Sequence, residues 1–125
     1  MFAVVSRVFC FDAAHKIECF GQGHKCGRLH GHTWEVEIFV AGVVSPETGI
    51  VIDYYEIDRA WARVFDEIDH CYLNEVPGLE LPSTENIAVW IWTKMYAPLS
   101  SEHRKLSKIS IREGKADRCE FFGAT

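Results

Sequence analysis

The segment from His32 to Ala41 alternates between apolar and polar side chains, and this pattern constrains the fold more than any other feature of the chain. One set of alternate positions carries His32, Trp34, Val36, Ile38 and Val40, and the intervening set begins with Thr33, Glu35 and Glu37. Successive side chains of a β-strand point to opposite faces of a sheet. The segment is therefore predicted to be a strand with one buried and one hydrated face.

Three further segments have the composition and alternation of strands. They are Phe2 to Phe11, Leu106 to Glu113 and Asp117 to Phe122. The stretch from Asp12 to Gly31, between the first two strands, is broken by several glycines and is predicted to be a loop.

Two helices are predicted between the second and third strands. Asp53 is placed to cap the first helix, whose apolar residues recur at helical spacing as far as Ile68. Ser83 or Thr84 is predicted to cap the second, and Pro98 to stop it. The order ββααββ predicts an α+β fold, in which an antiparallel sheet carries two helices on one face.

Size and charge narrow the function classes. The chain has 125 residues and no internal linker, so we expect a single domain spanning residues 1–125. Its net charge of −5 and scattered basic residues argue against nucleic-acid binding. No apolar run approaches the roughly 20 residues of a membrane span, and the first residues lack the order of a signal peptide. These features predict a cytoplasmic protein without a membrane partner.

Three histidines suggest a metal site. His30 and His32 are two residues apart at the start of the second strand, so their side chains point to the same side. His15 follows the first strand, which should pair with the second and bring a third imidazole near. Three imidazoles with an open position are typical of catalytic zinc. The His30–His32 pair alone also fits histidines that merely hydrogen-bond to backbone.

Cys26 lies four residues before His30, where a nearby cation favours a thiolate that acts as base or nucleophile. A fourth zinc ligand or an inert buried thiol remains the alternative. The five cysteines are odd in number and contain no CxxC pair, so no disulfide framework is indicated. The adjacent Asp69 and His70 suit a proton shuttle, although histidines also occur at helix ends because of the helix dipole.

Glu113 ends the alternating third strand on the same face as Ile109 and Ile111. A carboxylate there either points into solvent at the edge of the sheet or lies in a pocket. In a pocket it would suit a bidentate pair with the N–H groups of a pterin or guanine ring.

Taken together, these residues resemble the 6-pyruvoyltetrahydropterin synthase superfamily and, within it, the bacterial 6-carboxytetrahydropterin synthases of queuosine biosynthesis. The matching motifs are Phe11-Asp12-Ala13-Ala14-His15, Cys26-Gly27-Arg28-Leu29-His30-Gly31-His32, Asp53-Tyr54, Leu73-Asn74, Pro82-Ser83-Thr84-Glu85-Asn86 and Ile111-Arg112-Glu113. The spacing Cys-x3-His-x-His resembles the carboxy synthases, whereas the pyruvoyl synthases of tetrahydrobiopterin synthesis resemble Cys-x5-His-x-His.

The resemblance implies specific roles for these residues. Zinc would bind His15, His30 and His32. Cys26, Asp69 and His70 would be catalytic. Glu113 would hold the pterin, with Thr84 and Glu85 nearby.

The resemblance also implies an assembly and a reaction. In the tunnelling fold, subunit sheets join into an oligomeric barrel, such as a homohexamer, with active sites between subunits. The implied reaction converts 7,8-dihydroneopterin triphosphate to 6-carboxy-5,6,7,8-tetrahydropterin and releases acetaldehyde and triphosphate. A pyruvoyl synthase, a sepiapterin-cleaving relative and a non-catalytic zinc- or pterin-binding module are the alternatives.

Overall fold

The structure, a computed structural model, describes residues 1–123 and contains a four-stranded antiparallel sheet in the order β1-β2-β3-β4. The strands are β1 (Phe2–His15), β2 (His30–Val43), β3 (Arg104–Glu113) and β4 (Asp117–Phe121). The helices α1 (Tyr54–Ile68) and α2 (Thr84–Leu99) lie between β2 and β3 in the chain. The predicted α+β fold with its ββααββ order is confirmed.

The alternation read from β2 places its apolar side chains against the helices. Trp34, Val36, Ile38 and Val40 are completely buried, whereas Glu35 on the opposite face is exposed. Burial of these side chains, together with those of the facing helices, provides most of the driving force for folding. One face of the sheet is thus covered, and the other remains open.

The helix caps follow the sequence signals. The Asp53 carboxylate accepts a hydrogen bond from the backbone N–H of Tyr55 at 2.9 Å. The Ser83 hydroxyl accepts one from the N–H of Asn86 at 3.1 Å, so Ser83 rather than Thr84 is the cap of α2. Within residues 1–123, no helix is both long and apolar enough to cross a membrane.

Several predicted boundaries of the strands and of α2 were wrong. β2 ends at Val43 rather than Ala41, and β3 begins at Arg104 rather than Leu106. β1 continues to His15 and β2 starts at His30, because Ala13, Ala14 and His15 extend the ladder with His32, Gly31 and His30. The loop predicted over Asp12 to Gly31 is correspondingly shorter.

α2 and β4 also end at other residues than predicted. α2 continues through Pro98 to Leu99, whose side chain is fully buried. Packing of Leu99 holds the last turn, where a proline forfeits one N–H donor. β4 ends at Phe121, one residue before its predicted end.

Candidate metal centre

The pairing of β1 with β2 gathers the three histidines at one end of the sheet. His15 lies directly opposite His30, and His32 lies opposite Ala13. The ring centroid of His15 is 4.6 Å from that of His30 and 5.2 Å from that of His32. Trp34 closes the inner side of the cluster, with its ring 5.0 Å from His15 and 5.3 Å from His32.

Glu113 joins the three histidines. It ends β3 and pairs in register with Trp34, so its carboxylate reaches the imidazoles. One ligand atom from each of His15, His30, His32 and Glu113 lies within 4.8 Å of the others. Nitrogen and carboxylate donors in this number form a site that suits zinc and related divalent ions. Whether Glu113 also holds a pterin stays a prediction.

Two buried nitrogen atoms of the cluster make no hydrogen bond within the described residues. They are the Nε2 atoms of His15 and His32. The Glu113 Oε1 atom lies 2.7 Å from His32 Nε2 and 3.6 Å from His15 Nε2, but it forms a hydrogen bond with neither nitrogen. Buried polar atoms without a partner are rare, and a metal ion would satisfy both.

Backbone carbonyl groups orient two of the imidazoles. The carbonyl oxygen of Pro82 lies 2.8 Å from His15 Nδ1, and that of Arg28 lies 2.6 Å from His30 Nδ1. A carbonyl group only accepts, so each Nδ1 atom carries the proton and each Nε2 atom keeps a free lone pair. Histidine ligands of metals are commonly fixed in this way. Sequence reasoning missed both carbonyls, because no side-chain pattern signals a backbone acceptor.

The charges of the cluster also suit a metal ion. Burial lowers the pKa of His32, and this outweighs the opposing influence of Glu113. Contact with His15, together with the charge of His32, lowers the pKa of Glu113 against the effect of its burial. Neutral imidazoles and an ionised carboxylate are the forms that bind metals.

The loop that carries Cys26 is fastened beside His15. The backbone carbonyl of Cys26 accepts a hydrogen bond from the N–H of Ile17 at 2.7 Å, and the ring of His24 accepts from the N–H of Cys26 at 3.1 Å. Gly27 lies so close to the backbone of Gly21 that a Cβ atom would come within 1.7 Å of the Gly21 oxygen. The partly buried Cys26 therefore lies in a tightly packed turn that is bonded to Ile17, two residues after His15.

Asp69 and His70 form the predicted pair at the outer edge of β1. Asp69 Oδ2 lies 2.7 Å from His70 Nδ1, and Asp69 Oδ1 accepts a hydrogen bond from the N–H of Asp12. The hydrogen bond and the charge of Asp69 raise the pKa of His70. The bond from Asp12, with help from His70, lowers the pKa of Asp69. His70 and His32 line the same open cavity, so the pair and the cluster face one space.

Thr84 and Glu85 occupy the first turn of α2, directly after Ser83. Thr84 is half-buried and Glu85 is exposed. The preceding Pro82 supplies the carbonyl group that binds His15, so both residues lie close in the chain to the cluster. Their contact with a pterin stays a prediction, as do the catalytic roles of Cys26, Asp69 and His70.

The chain is similar to several known proteins. Residues 4–124 match the family model described as 6-pyruvoyl tetrahydropterin synthase. A relative from Synechocystis sp., named 6-carboxy-5,6,7,8-tetrahydropterin synthase, is 37% identical over 97 residues, which cover 74% of each chain. A relative from Pyrococcus furiosus, named dihydroneopterin monophosphate aldolase, is 35% identical over 104 residues, which cover 83% of each chain.

A solved structure extends the agreement to the fold. The 6-pyruvoyl tetrahydropterin synthase of Caenorhabditis elegans superposes with a TM-score of 0.86 at 25% identity, covering 99% of this chain and 97% of its own. The predicted kinship with enzymes named 6-carboxytetrahydropterin synthase is confirmed by the Synechocystis relative. The chain belongs to the 6-pyruvoyl tetrahydropterin synthase family.

Proposed function

We propose that this chain is a zinc-dependent 6-carboxytetrahydropterin synthase. It converts 7,8-dihydroneopterin triphosphate to 6-carboxy-5,6,7,8-tetrahydropterin, releases acetaldehyde and triphosphate, and serves queuosine and deazapurine biosynthesis in the cytoplasm. The observation that carries the proposal is the cluster of His15, His30 and His32 with Glu113, whose ligand atoms lie within 4.8 Å of one another. The Cys-x3-His-x-His spacing and the Synechocystis relative support the carboxy product.

His15, His30 and His32 would hold the zinc ion. Bound there, zinc supplies Lewis-acid polarisation of the side-chain hydroxyl groups of the substrate. The neutral form of His32 and the carbonyl bonds of His15 and His30 support this ligand role.

Protein side chains would carry the protons. Cys26 would act as base toward the substrate side chain, from the turn fastened beside His15. His70 would exchange protons with the substrate while Asp69 fixes its tautomer. The shared cavity of His70 and His32 supports their joint action on one molecule.

Glu113, Thr84 and Glu85 would bind the pterin ring. Glu113 remains ionised, and a carboxylate can accept two parallel hydrogen bonds from the N–H edge of a pterin. The exposed basic loop with His24, Lys25 and Arg28 either meets the triphosphate or remains hydrated.

Self-association into a barrel, such as a homohexamer, belongs to the same proposal. β1 is an edge strand, and its open face carries Phe2, Val4 and Val8, which are 69%, 56% and 49% exposed. A long apolar edge strand left unpaired favours aggregation, and pairing with another subunit removes that liability. Gel filtration with light scattering would test the assembly, and a monomer would contradict it.

The test of function is incubation of the purified protein with dihydroneopterin triphosphate, followed by mass analysis of the pterin product and assay of acetaldehyde. We expect 6-carboxytetrahydropterin and acetaldehyde, and loss of both with Cys26→Ala. A pyruvoyl product would keep the site and change the reaction. Cleavage of sepiapterin, without conversion of dihydroneopterin triphosphate, would also change the reaction. Dihydroneopterin monophosphate is the control substrate, because the Pyrococcus relative is named dihydroneopterin monophosphate aldolase. Zinc binding without any turnover would indicate a binding module.

A further inference from the structure

β1 ends at His15, and the backbone beyond it needs another partner. The side-chain amide of Asn74 supplies that partner. Asn74 Oδ1 accepts a hydrogen bond from the N–H of Lys16 at 3.0 Å, and Asn74 Nδ2 donates to the carbonyl of Lys16 at 2.9 Å. One side chain therefore forms hydrogen bonds with both the N–H and the carbonyl group of Lys16, the residue after His15.

The residue before Pro82, whose carbonyl group orients His15, is held by a second amide. Asn86 Nδ2 donates a hydrogen bond to the carbonyl oxygen of Leu81 at 2.8 Å. The N–H of Ser83 donates to the same oxygen at 2.9 Å. Pro82 lies between these two fastened residues, so its carbonyl oxygen is directed at His15 Nδ1.

Asn86 is an unusual choice for its position in the helix. It is the third residue of α2, where a carboxylate would interact favourably with the helix dipole. Its side chain is exposed, so a bond to a carbonyl group there adds little to the stability of the fold. The donor of the Asn86 amide thus serves the Leu81–Pro82 segment rather than the helix.

We infer that Asn74 and Asn86, the only two asparagines of the chain, are positioning residues for His15. Asn74 fixes the backbone of the ligand, and Asn86 fixes the acceptor that sets its tautomer. The inference rests on the proposed metal centre. An amide is needed at both places because a carboxylate cannot donate to a carbonyl oxygen and is repelled by it.

The substitutions Asn74→Asp and Asn86→Asp test this inference, since each keeps the shape, removes the donor and adds one negative charge. Groups that orient metal-binding histidines contribute about 10- to 100-fold to metal affinity. Both residues act through the backbone, so we expect each variant to bind Zn²⁺ about tenfold more weakly. The affinity is measured by competition with a chromophoric chelator. Gln22→Glu is the matched control, because it adds the same charge at an exposed position of the neighbouring loop.

A second readout does not need the metal. In the metal-free protein, ¹⁵N NMR reports the imidazole tautomer, and we expect the Nδ1-protonated form of His15 in the parent chain and a mixture in Asn86→Asp. Urea unfolding is measured alongside, and Asn86→Asp should be at least as stable as the parent because of the helix dipole. If Asn74→Asp does not fold, Asn86→Asp decides the question.

The outcomes separate the two claims. Weaker zinc binding in the Asp variants, with normal binding in Gln22→Glu, supports the inference. Parent-like zinc affinity and an unchanged His15 tautomer in folded Asn86→Asp overturn it. If the parent chain binds no zinc, the proposed metal centre fails, and the His15 tautomer in the variant alone decides whether Asn86 positions that ring.

Discussion

Replacing Trp34 with alanine should weaken the fold and the metal cluster together. Trp34 is completely buried, stacks on Phe11 at 5.8 Å and walls in His15 and His32. Truncation of a buried tryptophan costs about 3–5 kcal/mol, and the value rises when the site cannot collapse. β2 is paired on both sides, so its backbone cannot move into the space.

We therefore expect Trp34→Ala to lower the free energy of unfolding by about 4–5 kcal/mol. The long contact from Trp34 Nε1 to the Ala13 carbonyl, at 3.5 Å, adds almost nothing to this figure. Such a loss is a large share of the about 5–15 kcal/mol that stabilises a typical domain. Zinc affinity should also fall, because the variant lacks the ring that packs against both His15 and His32.

The assay is urea unfolding with a chelator present, so that metal binding does not contribute, and at one protein concentration, so that all variants are compared under the same conditions of association. Tyr55→Ala is the matched control, since Tyr55 is 67% exposed and its loss should cost within about 0.5 kcal/mol. If Trp34→Ala were as stable as Tyr55→Ala, the account of the core beneath the cluster would be wrong.

Three other substitutions probe the site. Glu113→Gln should keep its zinc but lose about 10- to 100-fold in kcat/KM, because a charge-assisted hydrogen bond to the pterin is lost. If the variant lost its zinc, Glu113 would instead be a zinc ligand. Asp69→Asn should lower the pKa of His70 toward 6.5, as followed by NMR titration. Because Asp69 favours protonated His70, the contribution of the pair to stability is present below about pH 6.5 and disappears as the pH rises through the raised pKa of His70. If Asp69→Asn lost the same stability at low and at high pH, the pairing would be contradicted. Gly27→Ala should cost at least about 1–3 kcal/mol, since the new Cβ atom meets the backbone of Gly21, and parent-like urea unfolding would refute this packing.

The sequence predicted the parts of the site that depend on periodicity. Alternation along β2 placed His30 and His32 on one side, and the structure agrees. It did not predict that His15 belongs to β1, because alanines favour strands weakly and glycines follow. Pairing with β2 decides the matter, since it aligns His15 with His30.

Features that depend on distant parts of the chain were beyond sequence reasoning. Alternation gave the face of Glu113, but its approach to the histidines depends on the register of β3 against β2. The carbonyl of Pro82 reaches His15 from 67 residues away. The prediction that α2 stops at Pro98 was wrong, because burial of Leu99 outweighs the loss of one backbone N–H donor.

The most direct test of the central claim is a metal-depletion and restoration assay with dihydroneopterin triphosphate. The protein is stripped with a chelator, assayed, and assayed again after one equivalent of Zn²⁺ is added. The account predicts loss of 6-carboxytetrahydropterin formation on stripping and its return with zinc, but no return in a His30→Ala variant. Full turnover by the stripped protein, with its zinc content verified as negligible, would contradict the account.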